Sequence, residues 1–270
     1  MSTKLGMIGG GIMGEALLSR LIGQGVYLPE QMIVSDRSES RRQHLRERYR
    51  VRVTSDNVAV ATTAEVLLLA IKPQVFTEVV ADLANTQDLP TNQLIISILA
   101  GVSLNQLEWG FPERAVIRAM PNTPATVGAG ITAIAHGSHT SEVDIEQAKN
   151  IFQAVGEVVE VPESLMDAVT GVSGSGPAYV AIMVEALADG GVAAGLPRTT
   201  AYELALQTVL GTAQLLHGSK IHPGELKDRV TSPGGTTIAG IASLERSGFR
   251  SALIEAVIAA TERSRQLGNL

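Results

Sequence analysis

At 270 residues the chain is long for a single hydrophobic core and comfortable for two domains. Its composition is 45% hydrophobic and 18% charged, with a net charge of −6 and no basic stripe; this argues against a nucleic-acid partner, and the absence of cysteine excludes disulfides and thiolate chemistry. No basic and apolar leader opens the sequence, and no run of about 18 apolar residues escapes glycine or proline punctuation, so the expectation is a cytoplasmic protein with no membrane span.

The first element is read from KLGMIGGGIMG, an apolar run breaking into glycines, followed by EALLSRLIGQG with Ala16, Leu17, Leu21 and Ile22 on one helical stripe. That is strand, tight turn, helix. Gly9, Gly11 and Gly14 fill G-x-G-x-x-G there: the first permits the turn, the second admits a pyrophosphate, and the third lets helix pack on strand. A second strand, MIVSD, ends at Asp36, where a carboxylate usually takes the ribose 2′-hydroxyl of NADH. Arg37, Ser38 and Arg41 follow at once and suit a 2′-phosphate instead. The signals conflict. With Asp36 rotated away and Arg37 stacked on adenine the reading leans to NADPH, with NADH as the alternative. The run RRQHLRERYR is broken by Glu47 and reads as a solvated helix face.

Alternation continues through AEVLLLAIKPQ, NQLIISILAG and RAVIRAMPNTPA, strands ending at Lys72-Pro73, near Ser97 and at Met120-Pro121. In a parallel, doubly wound sheet the ligand lies beyond the carboxyl ends of the strands, which places Ala70 to Pro73, Ser97 to Ala100 and Met120 to Thr123 on the cofactor crevice. Lys72 is read as lying near ribose or phosphate, and Asn122 has a second reading as a turn-closing residue. GITAIA and GEVVEVP read as sheet-edge strands. Between them lies a helix with Ser141 as N-cap and Gly156 as stop.

Past Pro162 the strand signals end and Ala/Gly/Leu-rich helices follow, giving a boundary of 1–162 and 163–270. The first two helices are apolar on more than a stripe, so their excess surface is read as a subunit interface, with Gly190, Gly191 and Gly195 allowing close backbone approach. His222 precedes Pro223 as a helix-entry residue. Two segments, SGSGPAY (Ser173–Tyr179) and SPGGTTIAGI, open helices with small residues. Both are expected to leave N–H groups free for a carboxylate.

Taken together, IGGGIMGEAL, AIKPQ, RAMPNTPA, VTGVSGSGPAYV, ALADGGVAAGL, HPGELKDRVTSPGGTTIAGIASLE and GFRSALIEAV resemble the pyrroline-5-carboxylate reductase family from end to end. The resemblance implies a Rossmann-type α/β domain and an all-α C-terminal domain that interlocks two subunits, with dimers assembling into larger rings, often decamers. It implies reduction of 1-pyrroline-5-carboxylate to L-proline by NAD(P)H. Carried over by motif, Ile8, Gly9, Gly11, Ile12, Met13 and Gly14 fall on the cofactor, with Ser35, Asp36, Arg37 and Asn57, and with Ala70, Ile71, Lys72 and Pro73. The strand-end reading adds Ser97, Ala100 and Asn122. Ser232, Pro233, Gly234, Gly235, Thr236 and Thr237 fall on the substrate, and Glu163 near both ligands. Asp36 stands where many members carry a neutral residue, and Lys220 and Arg229 where some carry Glu and Asn; no role is assigned to the last two.

None of the five histidines (His44, His136, His139, His217, His222) forms a pair or sits at a strand end with a carboxylate, and no metal site is read. A carbonyl reductase would need a proton donor to the forming alkoxide. A cyclic imine can bind already protonated, so the site needs mainly orientation, and Thr237 is the expected catalytic residue, hydrogen-bonding the ring nitrogen. A β-hydroxyacid-type dehydrogenase would want a lysine on the long apolar helix; between Pro177 and Gly195 the charged residues are Glu185 and Asp189. A reductase of a related cyclic imino acid and a non-catalytic NADPH-binding regulator remain alternatives.

Overall fold

The computed structural model describes residues 3–84 and 89–268, and it divides between Ser175 and Gly176 and again between Ile258 and Ala259. Gly176–Ile258 is one compact unit, and the chain on either side of it forms the other. The compact second unit therefore begins thirteen residues beyond the boundary expected after Pro162. Met166 explains why: it is fully buried in one cluster with Leu67, Phe76 and Ala133, so the segment after Pro162 still belongs to the sheet. Ser264 joins the same unit by donating its hydroxyl to Asp167 Oδ1 at 2.7 Å.

The first unit is built on eight strands: β1 (Thr3–Ile8), β2 (Met32–Ser35), β3 (Arg52–Thr54), β4 (Ala64–Leu69), β5 (Leu94–Ser97), β6 (Ala115–Met120), β7 (Gly130–His136) and β8 (Gly156–Glu160). Their order is β3-β2-β1-β4-β5-β6-β7-β8, so the winding reverses between β1 and β4. Neighbouring residues go to opposite faces: Val66 and Leu68 to one core, Leu67 and Leu69 to the other. Both faces are dry, which is why these strands read as unbroken apolar runs. Covering them are α1 (Ile12–Gly23), α2 (Glu39–Tyr49), α3 (Asn57–Ala61), α4 (Phe76–Ala84), α5 (Leu104–Gly110), α6 (Glu142–Gln153) and α7 (Met166–Val169).

Two expectations need correction here. β7 lies inside the sheet and runs antiparallel to β6; of the two strands expected at an edge, β8 alone is there, with β3 at the opposite edge. Alternation gives a strand's faces but not its direction. Gly156 does not stop α6, which Ser141 caps as expected and which ends at Gln153 with Ala154 as C-cap; it opens β8 at φ +148°, where a Cβ would sit 1.9 Å from the carbonyl oxygen of Gly130. Its glycine serves strand-to-strand contact.

The second unit holds α8 (Gly176–Ala193), α9 (Arg198–Ser219), α10 (Pro223–Arg229), α11 (Thr236–Arg246) and the start of α12 (Phe249–Gly268). His222 is the N-cap of α10, its Nδ1 accepting from the Gly224 N–H at 3.1 Å. The core of this unit is small: Val184, Ala188, Ala201 and Ala205. Of the three glycines expected to bring backbones together, Gly191 does so, since a Cβ there would meet Ala201 Cβ at 3.0 Å; Gly190 faces open space, and Gly195 takes a turn at φ +99°. Ile182, Leu204, Ile254 and Ile258 are each more than half exposed. No helix among the described residues is long and apolar enough to cross a membrane.

The stretch before α8 is itself helical, α7 continuing through a π-helical segment, Thr170–Gly174. Ser175 N–H donates to Thr170 O and the Ser173 hydroxyl to Val169 O. Of the N–H groups expected to be free at Ser173–Tyr179, that of Ser175 is committed there, and Gly176 opens α8. At the Ser232–Thr237 corner the Thr236 and Thr237 N–H groups lack an intrahelical acceptor.

Candidate functional site

The carboxyl ends of β1, β2 and β4 are stitched together where the strand order reverses. Gly9 N–H donates to Ser35 O, and Ala70 N–H to Ile8 O, both at 2.8 Å. The Ser35 hydroxyl, fully buried, donates to Asn57 Oδ1 at 2.7 Å. Beyond these ends opens a cleft of about 310 Å³. Of the expected cofactor residues, Ile8, Gly9, Gly11, Ser35, Asp36, Arg37, Asn57, Ala70, Ile71 and Lys72 line it. Gly9 sits at φ +102°, and a Cβ there would lie 2.5 Å from Ala70 O; at Gly14 a Cβ would lie 2.5 Å from Gly9 O. A Cβ on Gly11 would meet nothing within 4 Å. The loop is therefore tight on its protein side and bare on its cleft side, a fit for a dinucleotide pyrophosphate at the start of α1.

The other expected positions lie elsewhere. Ile12 stands at the exposed start of α1, Met13 packs on the core, Gly14 packs helix on strand, and Pro73 opens a 3₁₀ turn. Ser97 is buried, its Oγ accepting from Leu99 N–H, and Ala100 is exposed outside the cleft. Asn122 Oδ1 accepts from Ile131 N–H at 3.0 Å, so this side chain closes the β6–β7 connection. Sequence reading missed Ser55, Val75, Glu78, Val79 and Asp82, which line the same cleft. Glu78 and Asp82 share a face of α4, four residues apart, but no motif marks them.

Asp36 does not rotate away. Its Oδ2 accepts from Gly10 N–H at 2.9 Å and its Oδ1 from Ser38 N–H at 2.8 Å, pinning the carboxylate to two backbones. Arg41 is also committed, its guanidinium donating to Gly10 O, Gly11 O and Glu15 Oε2. Arg42 donates to the carbonyls of Asp36 and Arg37. Of Arg37, Arg41 and Arg42, Arg37 alone lines the cleft with its guanidinium uncommitted among the described residues.

Glu15 gathers a cluster of its own. Oε1 takes hydrogen bonds from the Tyr49 hydroxyl and His44 Nε2, each at 2.8 Å, while Oε2 pairs with Arg41. Partial burial pushes this carboxyl up, but the bonds from His44, Tyr49 and Arg41, together with the Arg41 charge, outweigh it and hold the pKa at about 2 against an ordinary 4.5. A carboxylate depressed on folding adds stability above its unfolded pKa and loses it as pH falls through the folded value. Wild type should melt above Glu15→Gln at pH 7, and the gap, followed by circular dichroism, should close between pH 4.5 and 2.

Glu163 belongs to the first unit and is tied there. Its Oε1 accepts from Leu104 N–H at the start of α5 (2.5 Å) and from Arg118 on β6 (3.0 Å), the latter only 8% exposed. It borders a second pocket with His136 and Glu160, not the glycine-loop cleft. The other expected substrate residues are in the second unit. Gly234 turns at φ +65°, Gly235 N–H donates to Ser232 O at 3.1 Å, and Gly235 is the N-cap of α11 with no side-chain cap bond. The Thr236 and Thr237 N–H groups, in the first turn, lack an intrahelical acceptor, and both hydroxyls are uncommitted among the described residues. This is a bare, positively polarised helix start.

Residues 163–267 match the family described as pyrroline-5-carboxylate reductase dimerisation, and residues 4–101 match that described as NADP oxidoreductase, coenzyme F420-dependent. A pyrroline-5-carboxylate reductase of Synechocystis sp. is 62% identical over 268 residues, covering 99% of each chain. The chain belongs to the pyrroline-5-carboxylate reductase family. A solved member from Coxiella burnetii superposes with a TM-score of 0.88 at 34% identity, covering 99% of both chains. A Plasmodium falciparum pyrroline carboxylate reductase, solved with NADP bound, also gives 0.88, at 31% identity and 98% coverage of each. Within this reductase family, the first match spans the Thr237 corner and Glu163, and the second spans the glycine loop.

Proposed function

We propose that the protein reduces 1-pyrroline-5-carboxylate to L-proline with NADPH, the last step of proline synthesis. It acts in the cytoplasm as a homodimer through the exposed apolar helices of the second unit, and dimers assemble into a ring such as a decamer. The observation that carries the reading is the bare start of α11: the Thr236 and Thr237 N–H groups lack an intrahelical acceptor and both hydroxyls are without a partner among the described residues, which suits a small carboxylate. Membership of the reductase family supports it. NADP in the Plasmodium structure and the uncommitted Arg37 on the cleft wall support NADPH over NADH.

In this reading the backbone N–H groups of Thr236 and Thr237 hold the carboxylate, and the Thr237 hydroxyl holds the ring nitrogen and fixes which face of the ring is presented. The glycine loop and Arg37 hold the dinucleotide. Bound there, NADPH supplies the hydride that reduces the C=N carbon. The protonated imine is neutralised by that transfer, so no side chain has to donate a proton to a forming anion, consistent with the lack of any acid–base pair at the corner.

The test is oxidation of NADPH and of NADH, with and without 1-pyrroline-5-carboxylate, on one preparation. Faster oxidation of NADPH that depends on the imino acid is expected. Cofactor binding without turnover would favour a regulator, and a higher kcat/KM on a six-membered cyclic imine would favour the related-substrate reading.

A further inference from the structure

The Glu15 cluster is not accounted for by the chemistry above. Glu15 lies in the first turn of α1, where an ionised carboxylate sits beside the very helix start expected to receive a pyrophosphate. A like charge there should oppose binding, yet the side chain is held ionised by three partners drawn from α2. What Glu15 grips gives the reason. Arg41 reaches from α2 to the carbonyl oxygens of Gly10 and Gly11, in the two peptide units that flank the bare Gly11, and its guanidinium also pairs with Glu15. In a trans peptide the C=O and the following N–H point opposite ways. Fixing the Gly10 and Gly11 carbonyls toward Arg41 therefore fixes the Gly11 and Ile12 N–H groups away from it.

We infer that Glu15 is a positioning residue for cofactor binding: it orients the Arg41 fork, which sets the Gly10 and Gly11 peptide planes so that their neighbouring N–H groups face the dinucleotide pyrophosphate. The inference rests on the reading of the cleft as a dinucleotide site. Arg41 also offsets the charge that Glu15 brings, so the pair costs the pyrophosphate little and supplies a rigid loop. His44 and Tyr49 hold Oε1 and leave Oε2 for Arg41.

Quenching of protein fluorescence by NADPH measures the dissociation constant without turnover. Glu15→Gln should weaken binding about 10-fold and Arg41→Met about 10- to 30-fold, the scale of losing charge-assisted, bidentate positioning. Because Glu15 acts through Arg41, the double variant should bind no worse than Arg41→Met alone, within about twofold. In steady state the loss should appear in KM for NADPH, with kcat and KM for the imino acid unchanged. Arg41→Lys, which leaves Glu15 intact and keeps the charge but not the fork, should weaken binding by about fivefold. Glu15→Gln binding as well as or better than wild type would overturn the inference, as would losses that multiply in the double variant. Wild type that binds no NADPH would overturn the reading of the cleft itself.

Discussion

Thr237→Ala should lower kcat by roughly 10- to 1,000-fold, the range for removing one positioned hydrogen bond from a transition state. NADPH affinity should stay as in wild type. Threonines near a helix start ordinarily turn back to cap a backbone N–H, but here the N-cap position is Gly235, and no side chain caps α11. Thr237 is half-buried and its oxygen has no partner among the described residues, so its hydrogen-bonding capacity is kept for something outside the chain. If that is the ring nitrogen, Thr237→Ser, which keeps the oxygen, should retain most of the turnover, and Thr236→Ala, at the more exposed neighbour, should fall well short of the Thr237→Ala loss. Stopped-flow kinetics with saturating NADPH would separate these. Unchanged kinetics in Thr237→Ala would remove the residue from the mechanism and leave the corner as a carboxylate holder only.

What could be read from the sequence was what the backbone demands locally. Gly9 and Gly14 are glycines because a Cβ would strike Ala70 O or Gly9 O, and such demands recur at fixed spacing. The apolar strands were legible because both faces of the sheet are dry. What stayed hidden were long-range polar partners. Asp36 is fixed by Gly10, Arg41 by Glu15 and Glu163 by Arg118, across 26, 26 and 45 residues, and no periodicity links such positions. The sequence offers Arg41 and Asp36 to the cofactor alike; the structure commits Arg41 to the loop carbonyls and holds Asp36, on the cleft wall, to backbone N–H groups. The same limit hid the π-helical segment before α8, since small residues after a Val-Thr-Gly run look like a helix start whether or not the winding has already begun. The direction of β7 depended on its pairing with β6, and the strand role of Gly156 on a neighbour, Gly130, that no local pattern names.

Gly11→Val should abolish NADPH binding at working concentrations, a loss of roughly 100-fold or more, equal to about two charge-assisted hydrogen bonds, while the fold survives. Gly11 is the informative glycine because nothing within the protein requires it. Its φ of −66° is ordinary for any residue, and an added Cβ would touch no atom within 4 Å. A chain without a ligand to accommodate would have no use for glycine there, so the reason lies in what enters the cleft. Gly9→Ala makes the contrast: its φ of +102° and the 2.5 Å approach to Ala70 O should cost about 2–5 kcal/mol of stability from backbone strain and overpacking together. Melting temperature and NADPH titration, measured on both variants, must therefore diverge. Gly11→Val should melt near wild type and bind poorly. Gly9→Ala should melt low. If Gly11→Val binds NADPH normally, the pyrophosphate does not cross the loop at this point and the cleft holds some other ligand.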